Sequence, residues 1–182
     1  VGVDNVDFSA AQELGIPITN TPGMFGAEVA DIAHGYIIGL ARETYLIDRH
    51  VRQGEWPKPT GISLAGKTLG LVGFGDIGRN LAKRALASSM QIIAYDPRFK
   101  EDPALEVEQG HWPEQLERCD FLVFTCALTP SNRHMLNADT ISRLKTGVRV
   151  VNVARGPLID ENALIESLVN GKIHSAALDV ME

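Results

Sequence analysis

The 182-residue chain carries 17 Lys+Arg against 23 Asp+Glu, a formal net charge of −6. That balance is poorly suited to coating nucleic acid or an anionic membrane, and no apolar run approaches the roughly 20 residues of a membrane-spanning helix. An apolar share of 45% and a charged share of 22% are those of a globular protein, long enough to bury about 70% of its unfolded surface without disulfide or metal.

Residues 1–22 are rich in turn signals, with Gly15-Ile-Pro17 and Asn20-Thr-Pro22-Gly23 punctuating them. From about Ala27 to Arg42, Val29, Ala33, Tyr36, Ile37 and Leu40 recur on one face of a predicted helix. A less regular stretch with Trp56-Pro57 and Pro59 runs to Gly61. Lys67–Val72 reads as a buried strand, and Ile77, Leu81 and Ala85 mark the helix after it. Gln91–Tyr95 is a second strand, Pro113–Arg118 a short helix and Phe121–Phe124 a third strand. Asn137–Leu144 and Glu161–Val169 read as helices around a fourth strand, Val148–Val153, and Ile173–Leu178 closes the series. Strands apolar almost throughout and separated by helices predict an α/β fold with a doubly wound parallel sheet.

Cys119 and Cys126 offer neither a disulfide framework nor metal-ligand spacing, so a reducing compartment, the cytoplasm, is expected and no metal. The sequence begins at Val1 and stops at Glu182 directly after an apolar stretch, from which we expect a piece of a longer chain.

Gly73-x-Gly75-x-x-Gly78 follows a predicted strand, opens a helix, and precedes Asp96 at the end of the next strand. This context is that of a dinucleotide-binding turn. Gly73 permits the tight turn, Gly75 lets the backbone approach a pyrophosphate, and Gly78 lets helix pack on strand. The helix N-terminus, with Asp76 and Ile77 in its first turn, supplies N–H groups to the phosphates. Asp76 opposes that binding unless its carboxylate turns outward. Asp96 is placed to accept from ribose hydroxyls and to repel a 2′-phosphate, which favours NAD over NADP; Arg98, two residues on, softens the preference. The plainer alternative makes Asp96 a strand-end turn residue.

The chain resembles the D-isomer-specific 2-hydroxyacid dehydrogenases, especially their phosphoglycerate dehydrogenase branch. The motifs are Gly2-Val-Asp-Asn-Val-Asp7, Asn20-Thr-Pro22 with Ala27-Glu28, and Gly73-Phe-Gly-Asp-Ile-Gly78. Tyr95-Asp-Pro97, Val151-Asn-Val-Ala-Arg-Gly156 with Asp160-Glu161, and Ala177-Leu-Asp-Val180 complete them. The resemblance implies a Rossmann-type NAD-binding domain over residues 23–182 and the remnant of a flavodoxin-like substrate domain over residues 1–22, whose Val1–Asn5 loop faces the cleft between domains. It implies a homodimer contact made by residues 23–61, although periodicity alone favours an internal core for the apolar face of Ala27–Arg42. The implied activity is hydride transfer between NAD and C2 of a small 2-hydroxyacid or 2-ketoacid of phosphoglycerate-like, hydroxypyruvate-like or glyoxylate-like type. The same family contains NAD-sensing corepressors, which is the alternative reading.

Oxidising a 2-hydroxyacid calls for a cation to hold its carboxylate and oxygen, and for a base titrating near neutrality. Arg155 directly follows the fourth strand and matches the family's catalytic arginine; its alternative is a surface pair with Asp160 or Glu161. Asp179 resembles the family aspartate near the nicotinamide, or else caps its strand. Val153, Ala154 and Cys126 resemble positions lining the cofactor through backbone atoms. Cys126 differs from the residues common there, and no neighbouring histidine supports a reactive thiol. Among His34, His50, His111, His134 and His174, none stands in the context of the family's catalytic histidine, which is expected beyond the last residue. The glutamate that polarises it is expected there too, so Glu182 is not given that role. We expect these residues to bind NAD without turnover.

Overall fold

A computed structural model describes residues 2–3 and 5–182. Val1 and Asp4, part of the loop expected to face a cleft, lie outside the described residues. Six strands form one sheet: β1 (Thr68–Val72), β2 (Gln91–Tyr95), β3 (Glu108–Gly110), β4 (Phe121–Phe124), β5 (Val148–Asn152) and β6 (Ile173–Leu178). Their order is β3-β2-β1-β4-β5-β6, and every pairing is parallel. The order reverses between β1 and β4, so a crevice opens outside the carboxyl ends of those two strands.

The core follows from the two-residue period of the strands. Leu69 and Leu71, Phe121 and Val123, and Val151 face one layer; Leu122, Phe124 and Val150 face the other. On the first face lie α2 (Gly26–Arg42) and α4 (Asp76–Ala87). Ala30, Ala33 and Ile37 from α2 meet Leu81, Ala82 and Ala85 from α4 in one buried cluster, with alanines at several of these positions allowing close approach. The second face is covered by α5 (Ala138–Arg143) and α6 (Glu161–Val169), through Ile141, Ala163 and Leu164. Each buried Leu, Ile or Phe stabilises the fold by about 1.5–3 kcal/mol.

Four local expectations change. Residues 8–13 form a helix, α1 (Phe8–Glu13), capped by Asp7 accepting from the Ala10 N–H at 2.9 Å. The stretch after the long helix contains α3 (Thr44–Arg52), which buries none of its residues. Glu43, at φ 58°, ends α2 in the left-handed region. Gly61, also left-handed, brings the chain back so that the Ile62 N–H reaches the Ala41 carbonyl at 2.8 Å. Residues 43–61 are therefore a side excursion closed at the end of α2. The predicted helix over 113–118 shrinks to a single 3-10 turn, Leu116–Arg118; Gln115 at φ 60° breaks the helical path before it. Strand β3 was not expected, because two of its three residues are exposed and it shows no apolar run.

Candidate functional site

The turn after β1 is shaped by close approach. Gly73 has φ 99°, and a Cβ there would lie 2.7 Å from the Cys126 backbone nitrogen, on the loop leaving β4. A Cβ on Gly78 would lie 2.3 Å from the Gly73 carbonyl oxygen. Gly75, by contrast, faces open space and provides no side-chain cap to the 12-residue α4. The first-turn N–H groups of α4 are thus left for an external acceptor, with the positive end of the helix dipole behind them. Asp76 turns aside: its Oδ1 accepts from Asn80 at 3.2 Å, and its carboxylate lies where a Cβ on Gly26 would stand. Ile77 sits half-buried in the same turn. Opened this way, the turn fits a pyrophosphate.

Asp96 is fixed from two sides. Its Oδ2 accepts the Phe74 N–H at 2.7 Å and its Oδ1 accepts the Arg98 N–H at 2.8 Å. Held as a turn residue, it still has acceptor capacity for a ribose hydroxyl, because each carboxylate oxygen retains a second lone pair. Behind the turn, Phe74 stacks on Phe99 at 5.1 Å, with the Arg79 guanidinium 4.4 Å above the Phe74 ring.

A cavity of about 940 Å³ opens from Gly73, Gly75 and Asp96 toward the loop after β4. Its walls include Pro97, His111, Trp112, Asn132 and His134; Pro97 belongs to a quoted motif, but sequence pattern gave none of the others a place in a site. Trp112 meets Tyr95 edge-on at 5.7 Å, giving the cavity an aromatic wall beside Asp96 suited to a nucleobase. The signal was weak: single aromatic and polar residues in loops, brought together only by the strand order. Thr125 donates to the Gly73 carbonyl at 2.9 Å, tying the two loops across the crevice. Burial pushes the Cys126 thiol up to about 11, and the charge of Asp96 adds to the shift, so it stays protonated near neutrality.

At the other end of the crevice, β5 runs into Val153, Ala154 and Arg155. Val153 and Ala154 are buried, at 7% and 5% exposure. Arg155 is half-buried and donates from Nη1 to the Ala154 carbonyl at 2.6 Å. Asp160 is occupied as the cap of α6, accepting from Asn162 and Ala163, and Glu161 accepts the Glu182 N–H at 2.7 Å. The Asp179 N–H donates to the Asn152 carbonyl at 2.9 Å, and Tyr36 donates to the Asp179 carboxylate at 3.4 Å. Burial first, and Asp179 second, raise the Tyr36 pKa. Arg155 and Asp179 are thereby carried on the carboxyl ends of neighbouring strands. Glu182 contacts Arg133 and His134. His34 bonds Ser88, His50 bonds Glu55 and His174 bonds Glu43, all away from this crevice. Among the described residues no group of three or more His, Cys, Asp or Glu could hold a metal ion, and no helix is long and apolar enough to cross a membrane.

The model of the D-isomer specific 2-hydroxyacid dehydrogenase NAD-binding domain matches residues 34–182. A hydroxypyruvate reductase from Thermotoga maritima is 45% identical over the whole of this chain and 60% of its own length. A D-3-phosphoglycerate dehydrogenase from Methanocaldococcus jannaschii is 42% identical over the whole chain and 36% of its own length. Among solved structures, a glyoxylate reductase from Paecilomyes thermophila superimposes with a TM-score of 0.90 at 40% identity, covering all of this chain and 56% of that one. The chain therefore spans 60% or less of the lengths of these proteins.

Proposed function

The chain belongs to the D-isomer-specific 2-hydroxyacid dehydrogenases, and from that premise we propose that the protein carrying it interconverts a small D-2-hydroxyacid and its 2-ketoacid. The observation that carries the reading is the pairing of an open phosphate turn after β1 with an arginine after β5, on one edge of one sheet. NAD, when bound, supplies or accepts the hydride at C2. Asp96 receives ribose hydroxyls, and the α4 N–H groups receive the pyrophosphate. Val153, Ala154 and Cys126 line the cofactor path, and Asp179 stands beside the nicotinamide end. Arg155 pairs bidentately with the substrate carboxylate and steadies its C2 oxygen as charge develops there. The proton at that oxygen is assigned to a histidine outside these residues, as the family resemblance implies.

Phosphoglycerate-like, hydroxypyruvate-like and glyoxylate-like acids all suit this chemistry. Relatives named as reductases and dehydrogenases support hydride transfer over the corepressor-type reading. Residues 1–22 are assigned to the end of a substrate domain; Phe8, Leu14 and Ile16 lie 53%, 72% and 55% exposed, as expected of apolar groups that pack elsewhere. We assign the closed excursion 43–61, with Tyr45, Leu46, Val51 and Trp56 exposed, to a homodimer contact, and the free thiols of Cys119 and Cys126 to a cytoplasmic setting.

The test is steady-state reduction of a 2-ketoacid panel by the full-length protein, with NADH and NADPH in parallel. NADH-dependent turnover of at least one acid is expected, together with NADH binding but no turnover by residues 1–182 alone. No turnover of any acid by the full-length protein overturns the reading. Light scattering of the full-length protein should give a dimer mass; a monomer overturns the assignment of residues 43–61.

A further inference from the structure

Asn152 and Arg149 are the two buried polar residues of a strand otherwise made of valines. Asn152 is 1% exposed, and a buried amide in a strand covered on both faces calls for a physical account. Its Oδ1 accepts the Ala154 N–H at 3.0 Å, and its Nδ2 donates to the Arg155 carbonyl at 2.9 Å. Its own carbonyl accepts the Asp179 N–H at 2.9 Å. One residue therefore holds the main chain of three candidate site positions.

We propose that Asn152 is the positioning residue of this site: its side-chain amide sets the orientation from which Arg155 meets substrate, and its main chain holds Asp179 beside it. This rests on the role assigned to Arg155 above and extends it. The Arg155 Nη1 is folded back on the Ala154 carbonyl at 2.6 Å, which ties the placement of the guanidinium to the course of the Ala154–Arg155 backbone. Ala154 is buried, leaving water little room to replace the lost partner of its N–H. Only a side-chain amide offers donor and acceptor at this spacing together. An aspartate of the same shape keeps the acceptor for Ala154 but turns a lone pair on the Arg155 carbonyl.

The experiment uses full-length protein, Asn152→Asp and Arg155→Ala singly and together, with kcat and KM for 2-ketoacid reduction and the NADH Kd measured across pH. A displacement of about 1 Å in a substrate-holding group costs on the order of 100-fold. Asn152→Asp is accordingly expected to lower kcat/KM by about 30-fold or more, with the NADH Kd within about threefold of the parent. The deficit should narrow as pH falls, because the protonated carboxyl regains a donor for the Arg155 carbonyl. In the Arg155→Ala background the same change should cost no more than about twofold, since both act through one group.

Additive losses in the double variant overturn the proposal, and so does an Asn152→Asp protein with parental kcat/KM. A fall in NADH affinity matching the fall in kcat/KM also overturns it, because the amide would then serve only the fold. Parental activity of Arg155→Ala overturns this inference and the reading beneath it together. Impaired Arg155→Ala with unimpaired Asn152→Asp overturns this inference alone. Should Asn152→Asp fold poorly, Asn152→Ser carries the same cycle, because it retains a single hydrogen-bonding group.

Discussion

The turns that leave β1 and β5 open on the same crevice, yet they are built by opposite means. After β1 the backbone itself is the device: Gly73 takes a left-handed φ, Gly78 packs without a Cβ, and Gly75 faces open space. After β5 there is no glycine until Gly156, and a side chain does the shaping. Asn152 grips the turn from within while Arg155 reaches out of it. A backbone cradle with a helix dipole suits a diffuse, doubly charged pyrophosphate common to every dinucleotide. A single planar cation suits one carboxylate in one orientation. The contrast separates cofactor binding from substrate handling, and each half can be damaged alone.

Arg155→Ala is the sharpest way to test that separation. Loss of a charge-assisted partner held in a water-excluded site costs about 2–5 kcal/mol, so kcat/KM for the 2-ketoacid should fall by on the order of 10³-fold. The NADH Kd should stay within about threefold, because no part of the phosphate turn depends on this side chain. Equal losses in both would show that the two turns act as one site.

Gly78→Ala makes the opposite cut. Its Cβ would stand 2.3 Å from the Gly73 carbonyl oxygen, which is backbone and must move. Overpacking of this kind costs about 1–3 kcal/mol, and a displaced phosphate turn should weaken NADH by about 10- to 100-fold. At saturating NADH the KM for the ketoacid should be little changed. A smaller effect belongs to Asp96→Ser, read as the ratio of NADH to NADPH affinity. Removing the charge that repels a 2′-phosphate should lower that ratio by about 10-fold. Since Asp96 also holds the Phe74 and Arg98 N–H groups, NADH affinity should fall as well. An unchanged ratio would remove Asp96 from cofactor discrimination.

The same contrast explains what could be read in advance. The β1 turn is legible because its physics is local: glycines at fixed spacing, a strand before, a helix after and an acid at the next strand end. The β5 turn carries no such signature; position after a strand left Arg155 ambiguous, and the resemblance of Val151–Gly156 to a known motif singled it out. The role of Asn152 was hidden, because its partners are set by how the chain turns after the strand. Trp112 and Asn132 escaped for a related reason, since strand order alone brings their loops to one cavity. The neighbouring helices α2 and α3 make the point for the fold. The apolar face of α2 was visible as a periodic stripe and packs on α4, whereas the apolar side chains of α3, Tyr45, Leu46 and Val51, stay exposed in a short helix that was not singled out. Helix 113–118 was overestimated because pattern cannot see the left-handed Gln115 that precedes its one real turn.

A control at the amino ends of the strands should touch neither turn. Asp120, before β4, accepts the Thr68 N–H at 3.0 Å and pairs with Lys145 at 2.6 Å. Burial pushes its pKa up, but the bond and charge of Lys145, the Thr68 N–H and the charge of Lys67 outweigh it, and the net shift is downward. A carboxyl depressed in the folded state stabilises above its unfolded pKa, near 3.9, and loses that contribution as pH falls through its lower folded value. Asp120→Asn should therefore cost about 1–2 kcal/mol at pH 7, read from urea unfolding. The difference from the parent should shrink below about pH 4, where the unfolded carboxyl is already protonated. NADH affinity and kcat/KM should both stay at parental values, because Asp120 sits at the far ends of the strands that carry the two turns. If either falls with stability intact, the two turns are coupled through the sheet, and the division between backbone cradle and side-chain fork is too simple.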